Sequence, residues 1–174
     1  MTVIPYFELH IRPMFRILDR DHMAFKLDLW DYDQVTASAR KIAGLLRLSP
    51  PGLMPPKEAG GPWPEGWIQT FEFWIEKGCP RLLLTEGQYS ARRIGSGQVI
   101  LSVSVQLADG AADSWSERVP SPRTEAEYLI YLRPPQPGAE EPPRLVQLKE
   151  VLPAQTEKVF ISDSSGRHEI PISS

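Results

Sequence analysis

The sequence predicts an α+β protein: a small three-helix N-terminal unit followed by an antiparallel β-sandwich. Two observations carry this. Up to about residue 78, apolar residues recur every three to four positions, as on one face of a helix. From about Leu82 the period falls to two, as in half-buried strands. A third observation concerns proline. Of the 18 prolines, several stand in pairs (Pro50-Pro51, Pro55-Pro56, Pro134-Pro135, Pro142-Pro143), and they cut the chain into short elements. The predicted domains are residues 1–80 and 81–174, joined near residues 79–90, each of ordinary domain size.

The first helix is predicted from Pro13 to about Met23, with proline in the first turn, where a missing N–H costs nothing. Met14, Ile17 and Leu18 would share one side of it, with Phe15 beside them. The second helix follows Asp31, a suitable N-cap, and Gln34 three residues later completes a capping box. Val35, Ala39, Ile42 and Leu46 recur at helical spacing, and Ser49-Pro50-Pro51-Gly52 stops the run. Residues Leu53 to Gly61 read as a Pro/Gly loop. The third helix starts at Pro64, carries the stripe Ile68, Phe71, Trp74 and Ile75, and ends at Gly78-Cys79-Pro80.

In the second half Val99, Leu101, Val103, Val105 and Leu107 alternate with Ile100, Ser102, Ser104 and Gln106, and Asp109-Gly110 starts a turn. Further strands are predicted at Glu127–Leu132, Arg144–Val151, Lys158–Ser162 and His168–Ile172. The last two are joined by a hairpin connection at Asp163-Ser164-Ser165-Gly166. Pro134–Pro143 reads as an exposed loop.

Composition narrows the function classes. A net charge of −3 argues against a dedicated nucleic-acid binder, which needs a basic surplus. The single cysteine, Cys79, allows neither an internal disulfide framework nor a cysteine-based zinc cluster. The N-terminus, MTVIPYFELHIRP, lacks the basic and apolar regions of a secretory signal, and no window is apolar enough to span a membrane, so a cytoplasmic location is expected. Gly95-Ser96-Gly97 lacks the lysine and following helix of a phosphate loop. Ser165-Gly166-Arg167-His168 reads as a turn into the last strand rather than a nucleophile context.

Four short segments occur in order: Ile11-Arg12-Pro13-Met14-Phe15; Leu27-Asp28-Leu29 with Tyr32; Leu53-Met54-Pro55-Pro56; and Phe73-Trp74-Ile75-Glu76-Lys77-Gly78. Together they make residues 10 to 78 resemble a bacterial c-type cytochrome domain. The resemblance implies a small helical fold with a haem-attachment helix first and a distal methionine at Met54. It leaves the β half uncovered. Covalent haem needs Cys-x-x-Cys-His. At that place this chain reads Asp19-Arg20-Asp21-His22-Met23, with Asp19 and His22 at the cysteine positions and Met23 at the ligand position. A register shift of one brings His22 near the ligand position. Neither register provides a thiol, so the expectation is a haem-less cytochrome c-like unit, with Met54 a core residue.

Two sets of side chains stand out. His10 and Met14, four residues apart, with His22 and Met23, are soft and imidazole donors of the kind copper(I) favours; core or surface roles are the stronger reading, since Met is a flexible gap-filler in cores and Pro13 places His10 before the helix, where it need not face Met14. Trp63 and Trp67 are the expected aromatic anchors for a partner. The acidic residues Asp28, Asp31 and Asp33 would steer a basic partner, and helix capping is their simpler role. Trp115 is a further candidate anchor in a loop. The sequence therefore predicts a non-catalytic accessory protein that docks on another protein, such as an enzyme it assists, through its helical unit. The alternatives are a copper-handling accessory protein and a small-ligand enzyme with its site between the halves.

Overall fold

The computed structural model describes residues 3–49, 52–56, 60–108, 113–134 and 142–174. The chain divides into two compact units, Met1–Arg81 and Leu82–Ser174. The stop at Pro50-Pro51, the turn at Asp109-Gly110 and most of the Pro134–Pro143 loop lie outside the described residues, as do residues 57–59 of the earlier loop.

The first unit is not the expected three-helix unit. A π-helical turn, Phe7–Ile11, and a 3-10 turn, Arg12–Met14, precede α1 (Ile17–Met23), α2 (Tyr32–Leu46) and α3 (Glu65–Glu76). The expected helix from Pro13 is broken because Phe15 and Arg16 are extended, with ψ of 108° and 159°. A new helix then starts on a local cap. The Asp19 carboxylate accepts the Arg16 backbone N–H at 3.0 Å and two guanidinium N–H groups at 2.9 Å each.

At α2 the Asp31 carboxylate accepts the Gln34 N–H at 2.8 Å, as a cap should. The return half differs from a capping box, because Gln34 Oε1 accepts from the Asp28 N–H instead. Helices α2 and α3 are pinned across their exposed faces by Arg47, which pairs with Glu65 and Glu72 at 2.7 Å each. Its hydrogen bonds hold both carboxyls below the usual glutamate range. Phe7, Phe15, Val35, Phe71 and Trp74 form the buried centre. Pro80 carbonyl accepts both the Phe7 N–H (3.0 Å) and the Trp74 Nε1–H (2.8 Å), which ties the chain start to the end of α3.

The second unit corrects the expectation of a wholly antiparallel sandwich: it contains two mixed sheets. One holds β1 (Leu83–Leu84), β5 (Glu125–Arg133), β7 (Lys158–Asp163) and β8 (Gly166–Ile170) in that order, with β4 (Asp113–Val119) on the other edge of β5. The other runs β6 (Arg144–Leu152), β3 (Val99–Leu107), β2 (Gln88–Arg93), β9 (Ile172–Ser173). Strands β5 and β7 pair in parallel, as do β2 and β9. The reason is the route of the chain. After β5 it crosses to the second sheet as β6 and re-enters the first as β7 in the same direction, and parallel neighbours need such a crossover. Inward residues of both sheets, among them Val103, Val105, Tyr128, Ile130 and Ile161, share one core. Ser114 to Arg118, read from the sequence as a loop, belongs to β4. Among the described residues no helix is long and apolar enough to cross a membrane.

Candidate functional site

Helix α1 is inside out. Its buried residue is Asp19, at 8% exposure, while Ile17 and Leu18 are 64% and 58% exposed. The side on which the sequence placed Ile17 and Leu18 is thus the solvent side. Asp19 faces inward and caps the Arg16 N–H, and Ile17 and Leu18, on other faces of the helix, face out. Phe25, just after the helix, is 79% exposed. Trp30 is partly exposed; Arg20 lies over its ring at 4.6 Å, and its Nε1–H donates to the Phe15 carbonyl at 3.0 Å.

The other side of α1 borders a cavity of about 130 Å³. Asp19, His22 and Met23 of α1 line it, with Leu29, Ile42, Leu45 and Leu46 opposite. Phe15, Trp63 and the Met54-Pro55-Pro56 segment complete the wall. Asp19 and His22 are its polar members, and Asp19 is already paired with Arg16. Met54 is 45% exposed at this wall, not the core residue the sequence suggested. The Trp63 ring packs edge-on to Trp67 and Phe71, and its buried Nε1 has no hydrogen-bond partner among the described residues.

Of the four donors expected for copper, His22 and Met23 come together beside Met54. His10 and Met14 are not in that wall. His10 is half-buried in the π-helical turn and its Nδ1 accepts the Tyr6 N–H at 2.9 Å; Met14 packs against the core. No group of three or more His, Cys, Asp or Glu suited to a metal is found among the described residues. Nor do the residues fit a covalent haem. Asp19 and His22 offer no thiol.

The expected partner-binding residues divide as well. Trp63 is buried and so cannot anchor a partner; its ring is needed between Phe15 and Phe71. Trp67 remains partly exposed on α3. Asp28 is held by Arg20 through two contacts of 2.7 Å, which keep its carboxyl below the usual range, and Asp31 is committed to its cap. Asp33 is exposed. Trp115 is exposed on edge strand β4. Ile17, Leu18 and Phe25 were missed as exposed residues because a stripe at helical spacing normally faces inward.

In the β unit, Ser165, His168 and Asp163 meet but do not form a catalytic triad. Ser165 Oγ donates to Asp163 Oδ1 at 2.7 Å, and the Ser165 N–H reaches the same oxygen at 2.8 Å. His168 contacts both Ser165 (2.9 Å) and Asp163 (3.2 Å) through the one nitrogen Nε2. A triad needs the carboxylate and the nucleophile on opposite ring nitrogens. This is an Asp-capped hairpin turn between β7 and β8. Burial alone would raise the Asp163 pKa. The Ser165 and Tyr89 hydroxyls, the Ser165 N–H and His168 outweigh burial and hold it at about 2.

No family model, no curated protein and no solved structure matches the chain.

Proposed function

We propose that this protein is a non-catalytic accessory protein that docks on another protein through its helical unit, a haem-less scaffold of cytochrome c type. One observation carries the docking reading: α1 buries an aspartate and presents Ile17 and Leu18 outward, followed by Phe25. Burying one such side chain is worth about 1.5–3 kcal/mol, so three within nine positions form an anchor of ordinary hot-spot strength. The contact centres on α1 rather than on Trp63. Neutralisation of Asp28 by Arg20 leaves little acidic steering there. What supports the scaffold is that His22 and Met23, at the place of the missing haem motif, and Met54-Pro55-Pro56, a segment of the resemblance, border one cavity.

The test is affinity capture from the native host with wild type and the folded variants Ile17→Ser, Leu18→Ser and Phe25→Ser. The expected result is a protein retained in stoichiometric amount by wild type and lost from all three variants. Retention unchanged by every variant refutes the α1 surface. A wild type that retains nothing, and instead turns over a metabolite, refutes docking as the function.

A further inference from the structure

We propose that the cavity beside α1 is a binding site for one small, uncharged, apolar molecule of about the size of benzene. This goes beyond the docking surface and does not depend on it, since Ile17, Leu18 and Phe25 are absent from the cavity wall.

Size comes first. At about 130 Å³ the cavity is close in size to the roughly 150 Å³ of an aliphatic-lined protein cavity that binds benzene. Chemistry comes second. Leu29, Ile42, Leu45, Leu46, Phe15 and Met23 provide hydrocarbon, thioether and ring surface. A water there needs two to four polar partners. Asp19 is engaged by both Arg16 nitrogens and the Arg16 N–H, and it contributes no spare charge for a cationic guest. An apolar guest gains dispersion contacts and loses water on its walled sides.

Access is the third point. The wall includes two exposed residues, His22 and Met54, so a guest can enter without unfolding the core. Met23 and Met54 are unbranched and adaptable, and such side chains suit a site that admits guests of differing shape.

The full-length protein is titrated with benzene while its methyl resonances are followed by two-dimensional NMR. Saturable shifts are expected at Met23, Met54, Leu29 and Leu46, with none at Ile17, Leu18, Val103 or Val105. Saturation is expected below the solubility limit of benzene. The Ile42→Phe variant, which fills the site from α2, is expected to lose the saturable response. Met54→Phe, at an exposed position, is the second variant should Ile42→Phe fail to fold. Haemin added to wild type is expected to give no one-to-one shift of its Soret band. The proposal is overturned by non-saturating shifts, by equal saturation at Ile17 and Leu18, by folded filling variants that respond like wild type, or by stoichiometric haemin binding that Ile42→Phe abolishes.

Discussion

Replacing Trp74 by alanine removes the largest fully buried side chain of the helical unit. Its indole is 0% exposed and lies against Phe7 and Phe71 at centroid distances of 5.9 and 5.5 Å. Truncating a buried tryptophan costs about 3–5 kcal/mol, from lost transfer energy and from the cavity left behind. The Nε1–H bond to Pro80 adds about 1 kcal/mol. That addition stays small because the Pro80 carbonyl keeps the Phe7 N–H as a second donor and is not orphaned. The expected loss is therefore about 4–6 kcal/mol. A unit of this size has a total stability of roughly 4–12 kcal/mol, so the loss takes from about a third to all of it. Urea unfolding followed by NMR reads the two units separately, through Leu46 and Ile68 in the first and Val103 and Ile130 in the second. The midpoint of the first should collapse, and Trp74→Phe should recover much of it. A midpoint for Leu46 and Ile68 that Trp74→Ala leaves in place would show that the ring does not bear on the core as described.

Two further outcomes follow from the geometry. Asp163 is held at a pKa of about 2 against an ordinary value of about 3.9, so its ionised form stabilises the β unit by about 2–3 kcal/mol. Because the folded value is the lower one, this stability is fully present above pH about 4 and is lost as pH falls toward 2. Acid titration of the second unit's melting temperature should show that loss, and Asp163→Asn should flatten it. A slope identical in both proteins removes Asp163 from the account. In the first unit, Ile17→Ser and Leu18→Ser should change stability by no more than about 0.5 kcal/mol, since neither is buried. A drop of the size seen on core truncation would place them inside.

What was legible in the sequence was what local pattern decides. Strand β3 could be read because its alternation is complete: Val99, Leu101, Val103, Val105 and Leu107 are all buried. Helix α3 could be read because Ile68, Phe71 and Trp74 form one stripe between Pro64 and Gly78. Strand β4 could not. Its buried residue is Ser114 and its tryptophan faces out, so DSWSERV looks like a loop until seven pairings to β5 make it a strand. Strand β2 hides for the same reason, with Ala91 as its buried residue. Direction is hidden altogether, since alternation is the same in parallel and antiparallel strands. The cavity was out of reach because its wall joins α1, Leu29, α2, the Met54 segment and Trp63, which only tertiary packing assembles.

The inverted burial of α1 and the cavity have one cause. A seven-residue helix is too short to hold itself together in water, so α1 depends on what anchors it. Those anchors are the Arg16–Asp19 pair at its start and the contacts of Met23 at its end. Turning Asp19 inward to make the cap directs a carboxylate, not a leucine, at the space between α1 and α2. A leucine there would fill it; Asp19 bends to Arg16 instead, and room is left beside Leu45 and Leu46. The same rotation sends Ile17 and Leu18 to solvent. Exposure of the aliphatic pair and incomplete filling behind it are thus two faces of one substitution pattern.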